Sequence, residues 1–534
     1  MRFGLCAFLC LAVSSPFAGA QDLDKAKLRH SIEMPALSTS FGVNFRSSER
    51  DGKGNKYDPA QKLAELQKKL TGGPDDSEIY FEMRGVYIEC LNDEKKAREM
   101  AVKAEAVLRP LVQTTDPKLG HWLTSYASTL EILTDNPWGD CEKWGRRAVA
   151  IAPQDWRCWA YLAHIRNQQV PITLCGGDDK VLPKERRSQT VIGMLYQGRF
   201  RPENVDQGEK VLNEALQYHD KAKELAPDDP KRQVRRYGFR LAEIVLRDAI
   251  SVCRGQKPAY PKMQFERVVL DELQSAAQLN ADHLLWQSQL VHHLVMLGWY
   301  DSRDGSGKPA KNFRPARAED EQAIRAALAR IEKLADAASG ESAVFCYSIL
   351  AALNSSMQEN TAVEKYARKM LQLEQKNQLA AEHLQQALLL QGRHAEQLVA
   401  AQALAKDTPT PRNQFILAKA LVLNQRHELA EHACLQGLKQ EAADAHCLLG
   451  IAALMLRKGD DATSLQVARQ LLDKATLACR PEHGPSVLAE LEYLTAIHQA
   501  LTGDTGLARL KLQRLQAENP DNGRYEKALV AIGR

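Results

Sequence analysis

Polar turns recur at a nearly constant spacing in the C-terminal part of this chain. The turns at Asn360, Gly392, Gln425 and Gly459 follow one another at intervals of 32, 33 and 34 residues. Between turns, for example over residues 417–435, the apolar and small residues fall three and four apart, which predicts amphipathic helices. Repetition at this length is typical of stacked helical hairpins. One such hairpin cannot bury its apolar face alone, so each must pack on its neighbours.

The composition favours the same fold class. Aromatic residues make up only 6% of the chain, and the helix formers Ala, Leu, Gln, Glu, Lys and Arg are abundant. A single hydrophobic core stops growing at roughly 250 to 300 residues. A stacked array has no such limit and can extend through a chain of 534 residues. We therefore predict an all-α protein built from antiparallel helix pairs.

The net charge limits the classes of partner. Lys plus Arg number 71 and Asp plus Glu number 67, which leaves a formal net charge of +4. This surplus is too small for the size of the chain to indicate nucleic acid or an anionic membrane as a general partner. We predict that the chain binds no nucleic acid.

From residue 77 the large, small and proline positions follow a known spacing. They are Phe81, Arg84, Gly85, Ile88, Ala97, Ala101 and Ala104, with Pro110 one residue late. Small residues allow two helices to cross closely, large ones fill the gap between them, and proline stops the second helix. On these residues the chain resembles the tetratricopeptide repeat family, with about ten degenerate units. The resemblance implies a right-handed superhelix whose first helices line a concave groove for partner segments.

The pattern divides the chain into regions. We predict a signal peptide over residues 1–20, a flexible polar leader over 21–57, a capping helix over 58–76, repeat units with insertions at 167–204 and 301–315 over 77–339, regular repeat units over 340–520 and a C-terminal capping helix over 521–534. The insertions are candidate functional loops, because long loops inside compact arrays are often functional.

The N-terminus has the features of a secretory signal peptide. Arg2 precedes an apolar run over residues 3–13, and small residues end the segment at Ala20. We expect cleavage after Ala20 and export to the periplasm or the extracellular space. The alternative, an N-terminal membrane anchor, is disfavoured because the run is far shorter than the ~20 residues that span a bilayer. No later apolar segment reaches that length, so we expect no membrane span in the mature chain.

The cysteines do not form a disulfide or zinc pattern. Of the 11 cysteines in the sequence, two lie in the signal peptide, and the other nine are scattered singly without a CxxC pair. Several, including Cys434 and Cys447, occupy apolar positions of predicted helices. We predict that they are small buried hydrophobic residues.

No catalytic motif fits its required geometry. His427 and His432 resemble a zinc-peptidase pair, but five residues on a helix turn them about 140° apart. Lys308 follows a glycine-rich turn that resembles a phosphate loop, but Pro309 stands where Ser or Thr should bind magnesium. We therefore predict no enzymatic activity, no cofactor and no metal.

One helix offers candidate groove residues. Arg157, Tyr161, His164 and Gln168 lie on one face of the helix that contains Trp159. In the family that the chain resembles, such first helices line the groove. We predict that these four residues contact a protein or peptide partner.

Basic residues concentrate in and after the first insertion. The candidates are Arg186, Arg187, Arg199, Arg201, Arg235 and Arg236. They could bind an acidic protein segment or an anionic envelope polymer. The alternative is a solvated basic face with ordinary ion pairs, since acidic residues are interleaved nearby.

These observations predict an exported, non-enzymatic scaffold that binds a peptide or protein partner in its concave groove. One alternative is an envelope polymer-binding or assembly subunit that uses the basic insertion. A second is a hydrolase with its active site in the insertions. The oligomeric state is left open.

Overall fold

All regular secondary structure in the described part of the chain is helical. The computed structural model describes residues 24–34, 53–54, 58–134, 137–176, 199–257, 266–301, 312–458, 461–479, 485–519 and 522–533. These residues form 23 α-helices and three short 3₁₀ segments, with no strand among them. The predicted all-α class is therefore confirmed.

The helices have the lengths expected of repeat hairpins. In chain order they are α1 (Lys25–His30), α2 (Pro59–Lys68), α3 (Asp76–Glu89), α4 (Glu94–Leu108), α5 (Gly120–Leu133), α6 (Pro137–Ile151), α7 (Trp156–Leu174), α8 (Val205–Leu225), α9 (Pro230–Cys253), α10 (Arg267–Leu279), α11 (Leu284–Asp301), α12 (Ala318–Ala337), α13 (Gly340–Ser356), α14 (Asn360–Leu373), α15 (Gln378–Leu390), α16 (His394–Asp407), α17 (Pro411–Leu423), α18 (His427–Gln440), α19 (Ala445–Lys458), α20 (Ala462–Ala478), α21 (Pro485–Leu501), α22 (Thr505–Glu518) and α23 (Gly523–Ala531). From α3 to α22 consecutive helices pack in pairs, each pair against the next within its unit. This pairing confirms the predicted array of antiparallel helix pairs among the described residues.

The chain separates into two compact units. The larger unit comprises residues Gly42–Gln375, and the C-terminal unit combines Met1–Phe41 with Lys376–Arg534. In the larger unit α2 packs on α3, and six helix pairs follow from α3 to α14. In the C-terminal unit four pairs run from α15 to α22, and α23 packs on α22.

The recurring turns have a local cause. Gly392 and Gln425 both adopt positive φ, of 72° and 60°, directly after a first helix. At the second of these turns the backbone N–H of Arg426 donates to the carbonyl oxygen of Leu421 at 2.9 Å. This is the left-handed cap that satisfies the last carbonyls of a helix. The turn predicted at Gly459 lies outside the described residues.

Aspartate side chains fix several helix starts. The carboxylate of Asp93 accepts a hydrogen bond from the backbone N–H of Lys96 at 3.0 Å, and Asp461 accepts one from Ser464 at 2.7 Å. These bonds satisfy donors that the first turn of a helix leaves unpaired.

The leader predicted as flexible over residues 21–57 is ordered at residues 24–34. This segment forms α1 and packs on α19 and α23 of the C-terminal unit. Leu28 is 0% exposed and Ile32 is 1% exposed, both within the main hydrophobic core of that unit. The prediction was wrong here because Leu28, Ile32 and Met34 form a short apolar stripe that has no repeat spacing of its own.

The insertion predicted to begin at residue 167 begins later. Helix α7 continues to Leu174 and contains Pro171. The carbonyl oxygen of Pro171 accepts a hydrogen bond from the backbone N–H of Cys175 at 3.1 Å, so the last turn of the helix is closed. Val170 and Leu174 are buried against α8 and α9, and this packing extends the helix. Residues 177–198 lie outside the described residues, as do the predicted signal peptide and residues 302–311 of the second insertion.

None of the nine cysteines outside residues 1–20, all of which are described, forms a disulfide bond. Six of them, including Cys434 and Cys447, are buried, as predicted for small hydrophobic residues. Burial raises the pKa of Cys158 to about 12, which keeps this thiol protonated at neutral pH. Within the described ranges no helix is long and apolar enough to cross a membrane.

Replacing Gly450 with leucine is expected to lower the free energy of unfolding by roughly 1 to 3 kcal/mol. A Cβ atom at this position would lie 3.0 Å from Cε2 of Phe415 and 3.1 Å from Sγ of Cys434, both buried. Chemical denaturation measures the change. The control is Gly506→Leu, because a Cβ atom there meets nothing within 4 Å. Equal unfolding midpoints for the two variants would contradict the close helix crossing at Gly450.

Candidate ligand-binding cavity of the C-terminal unit

The four predicted groove residues on α7 do not all reach the surface. Tyr161 is 6% exposed and packs in a small core with Ala127 and Cys141. Arg157 is partly exposed, and its guanidinium holds the carboxylate of Asp155 at 2.6 Å. Gln168 is partly exposed and His164 is exposed. All four predicted residues lie on one helix, as the periodicity indicated. The neighbouring helices cover Tyr161, so it does not reach the surface.

The six predicted basic residues lie in different environments and do not form one described basic surface. Arg186 and Arg187 lie outside the described residues, as does the side chain of Arg235. Arg199 and Arg201 are exposed. Arg236 is buried and forms ion pairs of 2.8 Å with Asp220 and 3.3 Å with Glu272. Its charge is therefore compensated inside the larger unit.

A cavity of about 1040 Å³ adjoins Arg157 in the larger unit. Its charged residues are Glu78, Lys118, Asp155, Arg157 and Asp229, so acids outnumber bases. Arg157 is already paired with Asp155, and the remaining cation, Lys118, faces two further acids, Glu78 and Asp229, so this cavity does not favour an anionic ligand.

A second cavity, of about 580 Å³, lies within the C-terminal unit. Its walls come from the first helices α17, α19 and α21, from α23 and from the end of the 24–34 segment. The apolar lining is formed by Met34, Val422, Leu423, Ala489 and Tyr525, and the charged lining by Glu33, Lys419, Arg457, Glu490 and Arg524. We call it the C-terminal cavity.

Arg524 and Glu490 form a buried ion pair in its wall. One guanidinium nitrogen of Arg524 donates to Glu490 Oε2 at 2.9 Å, and a second donates to Oε1. The guanidinium also lies 4.7 Å from the ring centroid of Tyr493 and 5.2 Å from that of Tyr525. Burial disfavours the charge, but the hydrogen bonds to Glu490 outweigh burial and raise the pKa of Arg524. The two charges compensate each other and fix the wall.

Two other cations of the cavity have no such compensation. Across the described chain, neither the Lys419 ammonium nor the Arg457 guanidinium has a hydrogen-bond or ion-pair partner. Burial lowers the pKa of Lys419, while the negative charges of Glu490 and Glu33 act against this decrease. Setting aside the neutral pair of Arg524 with Glu490, the described lining residues comprise two cations and one anion, Glu33. The cavity therefore favours an anionic group.

Tyr493 holds the main chain of the 24–34 segment beside this cavity. Its hydroxyl donates to the carbonyl oxygen of Ser31 at 2.8 Å and lies 3.0 Å from the Ser31 hydroxyl. Burial raises the pKa of Tyr493 to about 12, so the hydroxyl keeps its proton. The first helices of this unit therefore already accommodate a polypeptide segment that is not part of any repeat.

The sequence contained a signal for this site that the repeat pattern obscured. Lys419 is the only charged residue over positions 415–423, which are otherwise apolar and lie in a first helix. A lone charge in such a helix can be read as either a solvated end or a binding group. Arg457 lies at the end of another first helix, so no fixed spacing connects the two residues.

The structure also places the suspected zinc pair. His427 and His432 lie on α18 as predicted, and His432 Nε2 contacts Nε2 of Gln436 at 3.0 Å. In the part of the chain that the structure describes, no group of three or more His, Cys, Asp or Glu residues could hold a metal ion.

Several solved helical-repeat structures are similar to this chain at low sequence identity. Yeast Tom70 is 15% identical, with a TM-score of 0.35 and coverage of 89% of this chain and 91% of that one. The APC/C hetero-tetramer Cut9-Hcn1 is 12% identical, with a TM-score of 0.29 and coverage of 87% and 99%. At TM-scores this low, no ligand site can be transferred to this chain. No protein-family model matches the sequence, and the comparison with curated proteins found no match.

Proposed function

We propose that this protein is an exported, non-enzymatic scaffold that binds a segment of a partner polypeptide on the first helices of its C-terminal unit. The main support is that these helices already hold the 24–34 segment, which belongs to no repeat. An open cavity continues beside this segment. Export rests on the features of residues 1–20.

The properties of the C-terminal cavity support a polypeptide ligand. Its volume of about 580 Å³ exceeds that of a single side chain and leaves room for several residues of a bound segment. The lining combines aliphatic surface, at Val422 and Leu423, with unpaired cations. Such a surface can bury apolar side chains of a partner and orient the partner through a few polar contacts.

Photo-crosslinking in the native organism tests this function. We expect p-benzoylphenylalanine at Leu423, in the cavity, to capture one discrete polypeptide in the exported fraction, where the mature chain begins at Gln21. The control position is Leu477, which is exposed elsewhere in the same unit. The captured polypeptide is then purified and titrated against the wild-type chain and against Ala489→Trp, which fills the cavity.

We expect the Ala489→Trp substitution to weaken binding of the purified partner at least tenfold. Equal affinity of both proteins for that partner would exclude the cavity as the binding site. Equal capture from Leu423 and Leu477 would also contradict the proposal, because it would show collision rather than binding.

A further inference from the structure

We propose that the C-terminal cavity binds an acidic side chain of the partner segment, with Lys419 and Arg457 as the cations that bind its carboxylate and residues 24–34 as a fixed wall of the site. This inference rests on the proposed function and specifies the chemistry of the ligand.

The distribution of charges in the C-terminal cavity supports an anionic ligand. Arg524 is satisfied by Glu490 through two hydrogen bonds, so it is not available to a ligand. Lys419 and Arg457 line the same cavity and have no partner of this kind among the described residues. A carboxylate between them would form charge-assisted hydrogen bonds, which are stronger than neutral ones. It would also offset the cost of burying an unpaired ammonium group.

The position of Glu33 limits the positive potential of the cavity. Glu33 is exposed at the margin of the cavity, and its charge acts on Lys419. The chain therefore supplies one carboxylate of its own to a cavity with two unpaired cations. Because Glu33 reduces the positive potential, it is expected to weaken the attraction of a second, external carboxylate.

The burial of the 24–34 segment shows why it acts as a wall and not as a displaceable inhibitor. Leu28, Ile32 and Met34 are part of the core of the C-terminal unit. The backbone N–H of Asp24 donates to the carbonyl oxygen of Ala531 at 2.9 Å. A ligand that displaced the segment would have to expose all three apolar side chains, whereas a ligand in the open cavity displaces none of them.

The surroundings of the two cations favour a peptide over a small acid as the ligand. The cavity adjoins the main chain that Tyr493 holds through Ser31. Val422 and Leu423 lie beside Lys419 on α17 and offer aliphatic contacts next to the charge. The ligand is therefore an extended peptide segment in which Glu or Asp is adjacent to apolar residues.

Selection from a random 12-residue peptide library against the full chain tests this inference. We expect the peptides that bind wild-type protein to be enriched in Glu or Asp next to aliphatic residues. For the best binder, changing that Glu to Gln is expected to lower affinity about tenfold, measured by fluorescence anisotropy. N-acetylglutamate alone is expected not to compete at the same concentration.

Protein variants locate the contact. Lys419→Gln and Arg457→Gln are each expected to reduce the preference for Glu over Gln at least fivefold, and Glu33→Gln is expected to raise affinity for the acidic peptide about threefold. The matched control is Lys458→Gln, since Lys458 neighbours Arg457 but pairs with Glu431 at 2.7 Å.

Three outcomes would overturn the inference: selected peptides without acidic enrichment, an acidic preference that survives in both cavity variants, or no peptide binding at all. Effective competition by N-acetylglutamate would instead identify a small-acid site. The proposed function fails separately, when the partner captured at Leu423 binds Ala489→Trp as well as it binds wild type.

Discussion

Replacing Arg524 with methionine is expected to lower the free energy of unfolding of the C-terminal unit by about 3 to 5 kcal/mol. Arg524 is 9% exposed and Glu490 is 2% exposed. The substitution removes two hydrogen bonds from a carboxylate that is almost fully buried, and it removes the cation from the rings of Tyr493 and Tyr525. Urea denaturation of the full chain, followed by circular dichroism, measures the effect.

Two controls separate this effect from the loss of an ordinary ion pair. The double variant Arg524→Met with Glu490→Leu is expected to recover most of the lost stability, because neither member of the pair is left buried without the other. Arg469→Met removes an exposed pair with Asp473 at 3.1 Å and is expected to change stability by less than about 1 kcal/mol. If Arg524→Met and Arg469→Met have equal effects, the pair in the cavity wall is not buried in solution.

Replacing Leu28 with alanine is expected to lower the free energy of unfolding by about 2 to 5 kcal/mol. The side chain of Leu28 is fully buried in the core of the C-terminal unit, although it belongs to a short helix far away in sequence. The substitution removes three carbon atoms from a closely packed site and leaves a cavity. The same urea denaturation measures the loss.

The control for Leu28 is Leu429→Ala, the same substitution at a side chain on α18 that is 53% exposed. We expect a change of no more than about 0.5 kcal/mol there, as for most surface substitutions. A change equally small at Leu28 would mean that residues 24–34 are a flexible leader. It would also contradict the claim that this segment forms a fixed wall of the C-terminal cavity.

Features with local causes were predictable from the sequence. The turn at Gln425 follows from a left-handed residue after an apolar run, and such turns set the length of each helix pair. The helical class follows from apolar spacing and helix formers. Helix α7 extends past residue 167, where an insertion was predicted. Leu174 is buried against neighbouring helices, and this packing stabilises the helix through Pro171 although local propensity does not favour it.

The site was less predictable, because it depends on which helix faces meet. Tyr161 has the spacing of a groove residue, yet the neighbouring helices enclose it. Lys419 and Glu490 are far apart in sequence and share a cavity only after α17 and α21 pack in the same unit. Residues 24–34 complete that cavity through contacts that no repeat spacing encodes.

Hydrogen–deuterium exchange of the full chain, with and without the selected acidic peptide, tests the central claim most directly. Amides of residues 28–32 are expected to be protected in the free protein, and protection of residues 24–34 and of α17 is expected to increase when the peptide binds. Unprotected exchange of residues 28–32 in the free protein, or loss of their protection on binding, would contradict the claim that this segment is a fixed wall of a polypeptide-binding site.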